Sequence, residues 1–76
     1  MPLPFEQQPK ESAKAFAAFR EYLDMGPERS MAAVAKKFGK SHTLISRWSS
    51  KFDWAGRVQA HASHLAIVER QVEDAL

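Results

Sequence analysis

Residues 41–52 place hydrogen-bonding and apolar side chains on opposite sides of one predicted helix. At about 100° per residue, one side holds only short polar side chains, one imidazole and one guanidinium. These residues are His42, Thr43, Ser46, Arg47 and Ser50. The opposite side holds Leu44, Ile45, Trp48 and Phe52. A merely solvated face would normally be rich in Glu and Lys, so we interpret the polar side as a surface for hydrogen bonding to a ligand.

The positive charge of the chain is concentrated in its middle third. Residues 29–57 contain seven Lys and Arg against Asp53 alone, a balance of +6, whereas residues 1–28 and 58–76 each carry −2. A basic block can attract a polyanion by neutralising phosphates and releasing counterions. The alternative is a solvated surface, because lysines usually lie outside in any protein.

Together these features predict binding of double-stranded DNA, with the helix 41–52 in the major groove. Short side chains let a helix approach the base edges, and Arg47 can donate two hydrogen bonds to guanine O6 and N7. The polar residues above supply the predicted base contacts. The predicted phosphate contacts are Arg29, Lys36, Lys37, Lys40, Lys51 and Arg57. Neutralising about five phosphates would make log affinity fall with log salt at a slope of about −4.5.

The spacing of the residues gives little support to a catalytic site, a cofactor site or a metal site. No set of nucleophile, base and acid is apparent, so we expect no enzymatic activity. The three glycines lie far apart and form no phosphate-binding loop, and we expect no cofactor. His61 and His64 are three residues apart on a predicted helix, but no third ligand lies near them, so we expect no metal site.

Length and composition limit the architecture. A chain of 76 residues without cysteine has no disulfide and no Cys-ligated zinc to stabilise a small core. With 45% apolar and 26% charged residues, the composition is typical of a globular protein. The apolar runs are far too short to span a membrane, and the first ten residues lack the pattern of a signal peptide. We therefore expect a cytoplasmic protein with no membrane partner.

Helix signals predict an arm followed by four helices. Three prolines in residues 1–10 predict an extended N-terminal arm, held by Leu3 or Phe5. The first helix is predicted over 11–25, where aromatic and aliphatic residues recur at helical spacing, and Gly26 ends it. Its core residues are Phe16, Phe19, Tyr22 and Leu23.

The next two helices are separated by a very short turn. Ser30 is a predicted N-cap for 31–38, Gly39 ends that helix, and Ser41 caps the helix that follows. So short a connection forces a sharp corner, as a helix-turn-helix requires. The predicted fold class is therefore all-α: a helix-turn-helix DNA-binding domain with a three-helix core over 11–57, and an additional C-terminal helix over 58–76.

The last helix begins near Asp53 and carries a seam of apolar residues. Val58, Leu65 and Val72 repeat every seven residues, with Val68 three positions after Leu65. His61 makes this seam polar at one position. The pattern predicts packing on a partner helix, from the same chain or another, so we assign Val58, Leu65, Val68 and Val72 to oligomerisation.

The segment MAAVAKKFGKSHTLISRWSS resembles the helix-turn-helix of prokaryotic and phage DNA-binding proteins. Ala35 matches the small residue between the helices, and Gly39 matches the turn glycine. The apolar positions of the motif fall on Val34, Phe38, Ile45 and Trp48. The base-contacting positions that the resemblance implies are Ser41 and the five residues of the polar side, His42, Thr43, Ser46, Arg47 and Ser50. Lys40 departs from the pattern, because an apolar residue is common there, and this departure predicts a more open turn.

A wider stretch resembles phage small terminase subunits. The similar features are the opening ESAKAF, the GPERS turn, the KS…ISRWS segment, and the Trp54–Arg57 step. The resemblance implies an N-terminal domain that binds DNA for packaging, and following helices that assemble subunits into a ring. Val58 to Leu76 would begin that assembly region. The implied partners are other copies of the chain, in the full-length protein, and a large ATPase-nuclease subunit in the bacterial host cytoplasm.

Two other functions remain open from the sequence. A helix-turn-helix alone fits a transcriptional regulator or a transposase-type DNA-binding domain equally well. The apolar seam and the acidic flanks also fit a protein–protein interaction module that does not bind DNA.

Overall fold

The computed structural model describes the backbone of residues 2–75 and the side chains of residues 2–72. Over this range the protein is all-helical, which confirms the all-α part of the prediction. The helices are α1 (Ala13–Asp24), α2 (Met31–Phe38), α3 (His42–Lys51) and α4 (Trp54–Ala75), with a single 3-10 turn at Gly26–Glu28. No helix within residues 2–75 is long and apolar enough to cross a membrane.

One apolar core joins α1, α2, α3 and the start of α4. Its buried residues are Ala18, Phe19, Leu23, Val34, Ala35, Ile45 and Trp54. The predicted core face of α1 is confirmed, because Phe19 and Leu23 are buried and its other aromatic residues pack against them. Trp54, the first residue of α4, is fully buried in this core. Its ring centroid also lies 5.1 Å from that of Tyr22, so Trp54 joins α4 to α1 as well.

Local hydrogen bonds define the corner between α2 and α3. Ser30 and Ser41 each accept a hydrogen bond from the backbone N–H three residues on, at 3.0 and 3.1 Å, so both predicted N-caps are confirmed. Gly39 has a φ of +62°, a left-handed conformation that glycine adopts without strain. The backbone N–H of Lys40 donates to Ala35 O at 2.9 Å, which closes the C-terminus of α2 in a Schellman motif. Lys40 therefore does not leave this turn open.

The link from α3 to α4 depends on Asp53. Its φ is +48°, and its side chain accepts a hydrogen bond from the Gly56 N–H at 3.3 Å, as expected for an N-cap. A Cβ at Gly56 would collide with that carboxylate, so glycine at this position leaves room for the cap. α4 then continues without interruption past residue 58, so the domain boundary predicted at 57/58 falls inside one helix.

The N-terminal segment folds back onto the domain, and is not the extended arm that its prolines predict. The Glu6 N–H donates to Leu3 O, and the Gln8 amide donates to the carbonyls of Leu3 and Glu6. Phe5, one of the two predicted anchors, lies 5.1 Å from the ring of His61 and 5.0 Å from that of His64 on α4. Residues 2–10 therefore form part of the domain.

The second half of α4 projects away from this core. The helix has 22 residues, which corresponds to a length of about 33 Å. Every described side chain from Ala62 to Val72 is exposed. The first turns of α4 belong to the folded domain, whereas the later turns present their side chains to solvent.

Candidate nucleic-acid interface

The polar side of α3 faces outward. Four of its five polar residues are exposed and Ser46 is half-buried. The exposed residues are His42, Thr43, Arg47 and Ser50, and the N-cap residue Ser41 is exposed beside them. Arg47 forms no ion pair within residues 2–72, so its guanidinium is available to an external ligand. The surface that sequence spacing predicts is therefore present on the folded chain.

The other side of α3 anchors the helix to the core. Ile45 is fully buried, and Trp48 and Phe52 pack against the core from partly exposed positions. Ile45 shares this core with Val34 and Ala35 of α2. Because these contacts fix the rotation of α3 about its own axis, they determine which residues face the solvent. Trp48 is thus a packing residue, in keeping with the apolar side predicted for α3.

Three lysines of the basic block are exposed and unpaired within residues 2–72. Lys36 lies in the last turn of α2, Lys40 in the turn, and Lys51 in the last turn of α3. No Asp or Glu occurs between residues 29 and 52, so the carboxylates nearest to these lysines along the chain are those of Glu28 and of Asp53, which lies two positions after Lys51. Lys51 also rests against the Phe52 ring, 5.3 Å from its centroid.

Two other predicted phosphate contacts have partners within the domain. Lys37 Nζ lies 2.8 Å from the Glu21 carboxylate, although the Lys37 side chain remains 61% exposed. Exposed pairs of this kind contribute little free energy, so Lys37 can still turn to a phosphate. Arg29 donates to the carbonyls of Tyr22 and Leu23 at the end of α1. Arg29 therefore caps the C-terminus of α1, and its contact with phosphate stays a prediction.

Arg57 cannot contact phosphate, contrary to the sequence-based prediction. It is 5% exposed, and its guanidinium donates to both oxygens of Glu11, at 2.8 and 3.0 Å. It also donates to the carbonyls of Pro4 and Glu6, and it lies over the ring of Phe19, 3.9 Å from the centroid. The guanidinium faces inward because residues 4–11 and the Phe52 carbonyl supply its acceptors, and the Phe19 ring of α1 lies against it. Its role is to hold three segments of the domain together.

The predicted oligomerisation residues divide into two groups. Val58 packs against the domain's own core, so its assignment to an intermolecular contact is corrected. Leu65, Val68 and Val72 are 47%, 39% and 56% exposed. At helical spacing these three residues share one side of α4, which we call the α4 stripe.

The two histidines of α4 take part in packing. Both rings lie against Phe5, which joins the N-terminal segment to α4. Among the residues that the structure describes, no three His, Cys, Asp or Glu side chains come close enough to hold a metal ion. The ion pair of Glu11 with Arg57 could not be predicted from spacing, because 46 residues separate its members.

The arrangement has the chemistry that recognition of a polyanion requires. One helix presents hydroxyls, an imidazole and a guanidinium, and exposed lysines lie on α2, in the turn and at the end of α3. Such groups donate hydrogen bonds to base edges and to phosphate oxygens. Comparisons with known protein families, with curated proteins and with solved structures found no match. The functional assignment therefore rests on the sequence and the geometry of this chain.

Proposed function

We propose that this protein binds double-stranded DNA through a helix-turn-helix formed by α2 and α3. The observation that carries the proposal is the exposed polar side of α3, which contains no carboxylate and lies within a basic block. α3 enters the major groove, where Arg47 and the neighbouring hydroxyl residues contact base edges. The four lysines at positions 36, 37, 40 and 51 contact phosphates and set the register of the helix.

The biological role that we propose is that of a small terminase-like subunit, which recognises phage DNA for packaging. The resemblance of the ESAKAF, GPERS and ISRWS segments supports this role. The exposed α4 stripe supports assembly of several copies, because aliphatic side chains that share one exposed side of a helix are typical of an interaction surface. Several copies on one DNA would strengthen the binding of a small domain. A large ATPase-nuclease subunit would then be the partner of the assembly.

Light scattering on the full-length protein tests the packaging role. Assembly into a multi-subunit ring is the expected result. A strict monomer would contradict packaging and leave DNA binding intact. Protection of a palindromic operator by a dimer would favour a transcriptional regulator instead.

The Arg47→Ala variant is expected to lose affinity for DNA without loss of stability. The cost should be about 1–3 kcal/mol, or roughly fivefold to 150-fold in Kd, because a bidentate base contact disappears. The measurement is fluorescence anisotropy with a duplex that the wild-type protein has selected from a random-sequence pool. Its thermal unfolding should match that of the wild type, because Arg47 is exposed and unpaired within residues 2–72.

Arg70→Ala is the matched control for Arg47→Ala. Arg70 is also an exposed arginine on a helix, so the same charge is removed outside the proposed interface. The control should bind DNA within about threefold of the wild type, since one distant and screened charge contributes little. Equal losses in the two variants would contradict a specific role for α3. In an NMR titration with the same duplex, amide shifts should concentrate in residues 40–51.

Binding should weaken with salt less steeply than the sequence alone predicts. Arg57 is buried and Arg29 is engaged with α1, so we expect contacts to about four phosphates and a slope of log affinity against log salt of about −3.6. The Lys51→Ala variant should reduce the slope by about 0.9 and weaken all duplexes equally. The Glu11→Leu/Arg57→Met variant, if folded, removes the charge of Arg57 without leaving Glu11 unpaired, and it should leave the slope unchanged. A smaller slope for that variant would indicate that Arg57 contacts phosphate after all.

A protein–protein interaction module is the second candidate function, and the exposed α4 stripe favours it. The two functions differ in which substitutions matter. If Arg47→Ala and Lys51→Ala leave every DNA titration unchanged while Leu65→Asp abolishes association with a protein partner, the module is the correct assignment.

A further inference from the structure

An apolar cleft flanked by two lysines lies beside the proposed DNA-binding surface. It has a volume of about 210 Å³ and is lined by Lys14, Ala17, Phe38, Lys40 and Trp48. We call it the lysine cleft. Phe38 is 36% exposed here, although it ends α2 at a position expected to be buried in the core. Neither Lys14 nor Lys40 forms an ion pair within residues 2–72. The cleft therefore combines uncovered aromatic surface with two uncompensated positive charges.

The size and chemistry of the lysine cleft limit what it can hold. Sites for drug-sized ligands have volumes of about 300–1,000 Å³, so this cleft is small for a cofactor or a metabolite. A site for a free phosphate would need hydrogen-bond donors around the anion, whereas here the floor is apolar and the lysines lie at the rim. The combination fits an aliphatic side chain with a carboxylate beside it.

The α4 stripe has the complementary chemistry. Leu65, Val68 and Val72 are exposed aliphatic residues, and Glu69 is exposed directly after Val68. The segment 58–76 has a net charge of −2, opposite in sign to the rim of the lysine cleft. One molecule thus carries both an apolar surface with acidic neighbours and an apolar cleft with basic neighbours.

A single copy does not bring these two surfaces together. No α4 residue lines the lysine cleft, and every described side chain from Ala62 to Val72 is exposed. The stripe of one copy is therefore free to enter the cleft of another.

We propose that the lysine cleft receives the α4 stripe of a second copy of this chain. A stripe side chain lies on Phe38 and Trp48, and Glu69 approaches the lysines at the rim. The inference rests on the oligomerisation proposed above and is independent of DNA binding. Because two different surfaces meet, the contact is heterologous unless two copies exchange helices reciprocally, and it can close a ring.

The contact is weak for one pair of molecules. A cleft of this size buries less than the roughly 1,200 Å² typical of stable interfaces, so the assembly depends on repetition of the contact. Lys40 belongs both to the cleft and to the proposed phosphate contacts, so the test uses residues outside the DNA-binding surface.

A charge-swap experiment tests the proposal. The cleft variant is Lys14→Glu/Ala17→Glu, and the stripe variant is Glu69→Lys/Val72→Lys. All four positions are exposed helical residues, so both variants should fold, as circular dichroism can verify. In sedimentation equilibrium, each variant alone should associate at least about tenfold more weakly than the wild type, since like charges now meet. An equimolar mixture should recover association, because an acidic cleft then meets a basic stripe.

Three results would overturn the inference. The first is a wild-type chain that stays monomeric at the highest concentrations. The second is wild-type association of the cleft variant, which would indicate that α4 helices pair with one another. The third is weakening in both variants without recovery in the mixture. DNA affinity of Arg47→Ala is measured separately, so failure of either proposal is distinguishable from failure of the other.

Discussion

The Arg57→Met variant is expected to lose about 3–5 kcal/mol of unfolding free energy. The Glu11 carboxylate would remain in the interior without its counter-ion, because the side chains of Arg57 and Glu11 are only 6% and 0% exposed. The carbonyls of Pro4 and Glu6 would lose a donor as well. Small domains have total stabilities of only about 5–15 kcal/mol, so the variant should be largely unfolded under mild conditions. Urea denaturation followed by circular dichroism measures the loss.

Two further variants separate the ion pair from other effects of losing an arginine. Arg20→Met breaks an exposed pair with Asp24, at 3.4 Å, and should cost less than about 1 kcal/mol. The double variant Glu11→Leu/Arg57→Met should recover much of the stability, since no unpaired charge is left inside. A phosphate-contacting role predicts the opposite for Arg57→Met: weakened DNA binding with normal stability. That result would reject the buried ion pair.

Trp54→Ala is expected to destabilise the domain by a similar amount, about 3–5 kcal/mol. Trp54 is fully buried between α1 and the α3–α4 link, so its removal leaves a large cavity beside Phe19 and Tyr22. Thermal and urea unfolding measure the effect. Trp48→Ala is the matched control, because Trp48 is only partly buried and lines an open cleft. It should cost less than half as much.

The indole N–H of Trp54 adds a second comparison. It is buried and has no hydrogen-bond partner among residues 2–72, which is itself unfavourable. Trp54→Phe removes this donor and keeps most of the aromatic surface, so its cost should be well below that of Trp54→Ala. If Trp48→Ala were the more damaging substitution, the core would be centred on α3 and not on the junction of α1 and α4.

The features that sequence analysis predicted correctly are those with local causes. Ser30, Ser41 and Asp53 each bond to a backbone N–H three residues away, and Gly39 adopts a left-handed conformation on its own. The residues on the polar side of α3 could be predicted equally well, because helical periodicity assigns residues to faces without knowledge of the rest of the fold. Such features need only a few neighbouring residues.

The errors arose where distant residues meet. The prolines of residues 1–10 predict an extended arm, yet the segment turns because Arg57 binds two of its carbonyls across more than 50 positions. Arg57 and Lys51 look alike as members of a basic block, and only packing makes one an internal ion pair and the other a surface charge. Val58 has the heptad spacing of Leu65, but it lies where α4 still contacts the core.

By itself, the sequence determined the all-helical class, the caps that begin α2, α3 and α4, the glycine that ends α2, the residues on the polar side of α3 and the basic character of the middle third. All of these follow from interactions within a few residues of the chain. Tertiary structure alone decided which cations remain exposed and at which residue α4 ceases to contact the core. It also decided that Lys14 and Lys40 line one cleft. These outcomes depend on burial and on pairing between distant segments, and the free energy of a charge or an apolar side chain depends on that environment more than on its place in the sequence.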